Sequence, residues 1–273
     1  LQTAVVDGLA VMRRRPEHAD ASTPTVLLVH GAMDRAASFG RSMRRLGDVD
    51  VIAYDRRGYA GSIDAGTAPS IEAHAADLLR ILEWSAATVP VVVGHSLGGT
   101  IAASAVLDLA AQLPAMAAFE SPFPLLDDSF DDVGGGAVQV GAERGAAAGA
   151  EHFYRLMVGE QVWPRLRDRD RQARRAEGPA LMAELTDLRD RSRALDPTRL
   201  TLPVLVGLGG VSSAHLRRSA ELLLQHLPHG RRDQIDLAGH GAHLTHPDEF
   251  ARYCRDAVAL AAPARVGDDA RLD

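Results

Sequence analysis

Lysine is missing altogether: each of the 30 basic residues in this 273-residue chain is an arginine. We read this as the coding bias of a GC-rich genome, with no mechanistic weight. Set against 36 acidic residues, the arginines leave a net charge of −6, so nothing suggests a broad nucleic-acid-binding face. Cysteine is nearly absent too. Cys254 stands alone, so no intrachain disulfide can form, and a reducing, cytoplasmic setting is expected. It falls in a helical-looking stretch far from any base-like motif, which suits a packed thiol and not a nucleophile. No apolar run approaches the ~18 residues of a membrane span, and the N-terminus lacks the charged-then-apolar pattern of a signal peptide. Since the chain starts at Leu1 and not at methionine, residues ahead of it, and with them an exported form, stay open. No membrane or nucleic-acid partner is expected, and nothing in the sequence sets the oligomeric state.

What the chain has in quantity is apolar residues, 46% of the total, enough for a large core. Val5 to Met12 reads as two short strands around the Asp7-Gly8 turn, a strong hairpin signal. Thr25-Val26-Leu27-Leu28-Val29 is a continuous apolar run, as expected of a strand covered on both faces, and it ends in His30-Gly31-Ala32-Met33. Helical spacing over Ala36–Leu46 and a strand through Val49, Ile52 and Tyr54 complete a βαβ unit. Ser70–Ser85 is a helix with Ser70 as N-cap and Glu72 in its first turn; His74 and Trp84 on it are assigned no role. The strand at Val91–Val93, a helix to about Leu113 and the strand Ala115–Phe119 follow.

From Ser121 to about Leu200 the βα rhythm is lost. Ser121-Pro122-Phe123-Pro124 is a rigid exit, Asp131–Gly149 is rich in glycine and alanine, and Glu151–Arg193 reads as two or three helices dense in arginine and aspartate. The run Arg165–Arg171 interleaves aspartates with its arginines, the pattern of a solvated helix face and not of a basic patch. An insertion of this length between core strands is expected to form a helical cap, with Phe153, Tyr154, Met157 and Trp163 on its pocket side and Met33 below. The alternation resumes with a strand at Pro203–Leu208, a helix from Ser219 to Leu227, a strand around Gln234–Leu237, the turn Gly239-His240-Gly241 and a helix from Pro247 to about Ala261. The resulting division is a core of residues 1–120 and 201–262, a cap of 121–200 and a flexible tail of 263–273.

The residues that carry chemistry sit at the ends of these strands. Val91-Val92-Val93-Gly94-His95-Ser96-Leu97-Gly98-Gly99 is a buried strand feeding a Gly-x-Ser-x-Gly turn and then a helix, an arrangement that throws a serine onto a strained, accessible corner. A serine hydroxyl needs a positioned base, and the base needs a carboxylate to fix its tautomer. His240, in a turn after a strand, is the expected base, with His243 and His246 as competitors; His95 is expected to face the other way, as a structural residue. The backbone N–H groups of Leu97 and Ala32 are the expected oxyanion donors.

Val29-His30-Gly31, Tyr54-Asp55-Arg56-Arg57-Gly58, the Ser96 turn and Gly239-His240 together resemble the α/β-hydrolase superfamily, over nearly the whole chain outside the insertion. The resemblance implies a mostly parallel eight-stranded sheet flanked by helices, a helical cap after the sixth strand, a serine nucleophile and no cofactor; no metal ligand is assigned. It leaves the small-molecule substrate open. One departure stands out. Most of the superfamily carries an aspartate in the loop that here reads Gly209-Gly210-Val211-Ser212-Ser213-Ala214-His215, without a carboxylate. Phe119-Glu120-Ser121-Pro122 looks locally like the haloalkane-dehalogenase branch, whose acid follows the sixth strand, and Glu120 is accordingly assigned as the acid, ahead of Asp127 and Asp128. That branch uses an aspartate nucleophile, so dehalogenation does not carry over. A serine esterase or lactonase acting on a small or medium, partly apolar acyl substrate is expected. A binding protein with vestigial hydrolysis, or an acyltransferase or cyclase, shares the same residues.

Overall fold

The computed structural model of the chain describes residues 1–127 and 129–261, so Asp128 and the expected tail 263–273 lie outside the described residues. Strand β1 (Gln2–Val6) turns into β2 (Leu9–Arg14) through Asp7 and Gly8, whose positive φ values of 49° and 83° belong to a tight type I′ hairpin. Six further strands follow: β3 (Thr25–Val29), β4 (Asp50–Tyr54), β5 (Pro90–His95), β6 (Ala115–Phe119), β7 (Val204–Gly209) and β8 (Gly230–Ile235). They form one eight-stranded sheet in the order β1-β2-β4-β3-β5-β6-β7-β8. The hairpin strands pair antiparallel, to each other and to β4, and the remaining pairs are parallel.

Helices cover both faces, which is why the central strands read as unbroken apolar runs. On one face α2 (Ile71–Ser85), α3 (Leu97–Leu107) and α8 (Ala214–His226) pack Leu78, Ile101 and Leu223 against Leu27, Val92 and Val206. On the other, α1 (Gly40–Arg45) and α10 (Pro247–Ala261), with the short α9 (Ala242–Thr245) before it, bring Met43, Phe250 and Tyr253 onto Val26, Leu28 and Val91. Between β6 and β7 the chain leaves the sheet for α4 (Ser129–Arg144), α5 (Ala146–Val158), α6 (Asp168–Ala176) and α7 (Gly178–Arg189). Their own apolar centre, including Phe153, Leu181 and Leu185, closes over Met33 and Tyr59 of the core.

Four local expectations need correction. The last strand is Gly230–Ile235, not Gln234–Leu237: it is a sheet edge with exposed arginines, so its position leaves no apolar run to read. Helix α8 begins at Ala214, five residues before Ser219, on an exposed polar turn. The glycine- and alanine-rich stretch is helical, because small residues let α4 and α5 cross closely; a Cβ on Gly149 would lie 2.8 Å from the Ala137 carbonyl oxygen. Residues 36–46 open as a 3-10 turn (Ala36–Phe39) before α1. Among the described residues, no helix is long and apolar enough to cross a membrane.

Candidate active site

Strand β5 ends at His95, and the chain reverses at Ser96 with φ 53° and ψ −129°, a strained conformation for a residue other than glycine. The corner is held because the Ser96 N–H donates to the Phe119 carbonyl at 2.8 Å. It is tight because α3 starts against β3: a Cβ on Gly98 would lie 2.1 Å from the Val29 carbonyl oxygen. The loop after β3 presses on the same corner, so that a Cβ on Gly31 would lie 2.7 Å from the Ser96 Cβ.

The next strand over, β6, ends at Glu120, which also has a positive φ of 46°. Its N–H donates to the Gly207 carbonyl at 2.9 Å, turning the side chain under the sheet edge. The carboxylate is buried, yet both oxygens are satisfied. Oε1 accepts from the Gly209 N–H at 2.8 Å, and Oε2 lies 2.7 Å from His240 Nδ1. The carboxylate-free loop after β7 thus contributes a backbone donor to an acid that comes from β6. His240 follows β8; with Nδ1–H committed to Glu120, its Nε2 is the nitrogen left for the cavity. The competitors are placed otherwise: His243 Nε2 meets Asp34 Oδ2 at 3.1 Å, and His246 Nδ1 meets Thr245 Oγ1 at 2.9 Å. Asp127 is buried behind the proline exit and is not part of the cavity wall.

Ser96, His240 and Glu120 line one cavity of about 280 Å³, together with Leu97, Ala32 and Met33. Phe153, Tyr154, Met157, Val158 and Leu185 close it from the helical insertion and make it largely apolar. Trp163, expected on this wall, is instead buried within the insertion, edge-on to Tyr154 and beneath Arg155 and Arg175. An aromatic flanked by arginines packs beneath their guanidinium planes more readily than it fills a pocket.

The cavity also holds side chains that the sequence reading placed elsewhere or gave no role. His95 does not face away: its ring lies between those of His240 and His243, and Nε2–H donates to the His240 carbonyl at 2.7 Å. Burial, reinforced by the neighbouring imidazoles, holds its pKa well below the ordinary histidine value, so it is neutral. Asp34, four residues after His30, lines the wall as well. Burial raises its pKa, but the His243 hydrogen bond and charge outweigh that and hold the carboxyl well below the usual range. Arg174 of α6 reaches the rim, donating to the Met33 carbonyl at 2.7 Å and to Glu177 at 3.2 Å. His215, Leu216 and Ser219 enter from α8. The signal for Asp34 was present, a carboxylate in the loop that opens with His30-Gly31; nothing local marks Arg174.

A sequence profile described as the alpha/beta hydrolase family matches residues 26–253. The chain belongs to the alpha/beta hydrolase family. The chain is 33% identical over 122 residues to epoxide hydrolase A of Mycobacterium tuberculosis, a match that takes in 43% of the chain and 38% of that enzyme. Its fold is similar to that of a thermophilic esterase from Thermogutta terrifontis, with a TM-score of 0.71 and 19% identity over 96% of this chain and 99% of the other. It is also similar to the enol-lactonase of Burkholderia xenovorans, with a TM-score of 0.67 and 18% identity over 94% of this chain and 100% of the other.

Proposed function

We propose that this alpha/beta hydrolase is a serine hydrolase of small or medium, partly apolar carboxylic esters or lactones, working through an acyl-enzyme on Ser96. The reading rests on one observation: a buried carboxylate, Glu120, holds His240 by Nδ1 in the cavity that the strained Ser96 corner lines. In the first step His240 Nε2 takes the Ser96 hydroxyl proton as Oγ bonds to the substrate carbonyl carbon, and the Leu97 and Ala32 N–H groups receive the oxyanion. The tetrahedral adduct collapses, expelling the alcohol oxygen, which takes the proton from His240. Water then attacks the acyl-enzyme with His240 as base, releasing the acid and restoring Ser96. Glu120 fixes the tautomer and stabilises the imidazolium.

The likeness to an epoxide hydrolase bears on the fold more than on this chemistry. A serine that opened an epoxide would become a stable ether, which water does not cleave, whereas a serine ester turns over. Esters and lactones, the substrate types named for the esterase and lactonase of similar fold, suit Ser96 better. Helices α4 to α7 act in this reading as a cap, residues 121–200, that shields the acyl-enzyme.

A fluorophosphonate probe should label the wild type and not Ser96→Ala, and p-nitrophenyl esters of short to medium acyl length should turn over. Glu120→Ala should lower kcat by about 10³–10⁴-fold with the fold intact, while Asp127→Ala stays near wild type. An unlabelled wild type, or full activity in Glu120→Ala, would overturn the reading.

A further inference from the structure

Three side chains on the cavity wall form a cluster that the Ser96 chemistry does not use. Asp34 lies in the loop after β3, His95 closes β5, and His243 is the second residue of α9. One donor atom from each, a carboxylate oxygen and two imidazole nitrogens, lie within 4.8 Å of one another. The hydrogen bonds commit one nitrogen of each ring. His95 Nε2–H is committed to the His240 carbonyl, and His243 Nε2–H to Asp34. Nδ1 is the nitrogen left over on each ring, and both Nδ1 atoms are buried without a hydrogen-bond partner among the described residues. The rings are 5% and 2% exposed, so bulk water does not solvate these nitrogens. A carboxylate beside two buried imidazoles, each with a nitrogen that no described residue meets, is a site short of a cation.

We propose that Asp34, His95 and His243 bind a divalent transition-metal ion of the zinc class on the wall of the cavity. Two imidazoles and one carboxylate suit zinc, cobalt or nickel and not calcium or magnesium, which favour oxygen ligands throughout. Zinc bonds of ~2.0–2.2 Å put tetrahedral donors roughly 3.3 Å apart. The Asp34–His243 pair, at 3.1 Å, already has that spacing. An ion entering there displaces the proton from His243 Nε2, onto Nδ1 or to solvent, so that the ring binds as a neutral imidazole, and His95 closes on the ion through its own Nδ1. The open side of the site is the cavity, which supplies both the route in and the remaining coordination position. This inference is independent of the acyl-enzyme reading, because its test measures binding and not turnover.

The test is calorimetric titration of the metal-free full chain with Zn²⁺, repeated with Co²⁺ and followed by visible absorbance. One ion should bind per chain, Co²⁺ should develop the ligand-field bands of a low-coordinate site, and Asp34→Asn and His243→Gln should each weaken binding more than tenfold. His246→Ala, which alters an imidazole outside the cluster, should leave affinity unchanged. Ring ¹⁵N spectra of the wild type need no variant, and Zn²⁺ should shift the His95 and His243 signals at one equivalent. Absence of saturable binding, affinity indifferent to Asp34→Asn and His243→Gln, or unmoved His95 and His243 ring signals would each overturn the proposal.

Discussion

His30 shows how a buried side chain contributes to the acid sensitivity of the molecule. Its Nδ1–H donates to the Gly31 carbonyl at 2.8 Å, and its Nε2 accepts the Arg56 N–H at 2.9 Å, so no lone pair is free for a proton. Burial, with the Arg56 charge beside it, lowers its pKa to about 3. Burial lowers His74 and His95 in the same direction. The unfolded chain protonates these rings near pH 6.5 and the folded one does not, so the unfolded state binds more protons between about pH 6.5 and 3. Stability should be full above the unfolded value and fall as the pH drops below it. Thermal melts from pH 8 to 5 should show a level Tm above about 7 and a decline below 6.5, shallower in His30→Gln; a level Tm down to pH 5 would refute this. The serine corner was legible at this scale because its neighbours in sequence build it. The meeting of Asp34 with His243 was not, since it joins residues 209 positions apart with no local pattern to announce it.

Elements could be read wherever burial leaves a pattern. The central strands are apolar on both faces and stand out, and α2 is marked by its cap: Ser70 Oγ accepts the Ala73 N–H at 3.1 Å. Ser70→Ala should cost about 1 kcal/mol. In a chain of this size that lowers Tm by about 2–4 °C, which a differential scanning melt resolves. Strand β8 escaped because an edge strand is held by its backbone, and its Arg231 and Arg232 point to solvent. Exposed charge of this kind also keeps a sheet edge from pairing with another chain.

Across the whole molecule, the helical insertion is tied to the sheet through a buried charge. Arg56, after β4, is fully buried and ion-paired with Glu184 of α7, which also accepts the Tyr59 hydroxyl at 2.7 Å and lies 2.7 Å from His74 Nε2. Burial raises the Glu184 pKa, but Arg56 and His74 outweigh it and hold it at about 2. Glu184→Gln would leave a buried guanidinium without its counter-ion and should cost about 3–5 kcal/mol by urea denaturation, whereas the paired change Arg56→Met with Glu184→Leu should cost less. The βα alternation, and so the sheet, was readable from the chain; this tie was not, because it spans 128 residues with no local pattern to pair Arg56 with Glu184. The buried thiol of Cys254 has a consequence of another kind. It is 0% exposed in α10 and burial pushes its pKa up, so thiol-directed dyes find no target in the folded protein. Cysteines introduced at Leu156 on the insertion and Leu237 on the core, both exposed in the native protein, would therefore be the only sites to take a fluorophore pair, giving a direct optical ruler for the separation of insertion and sheet in solution.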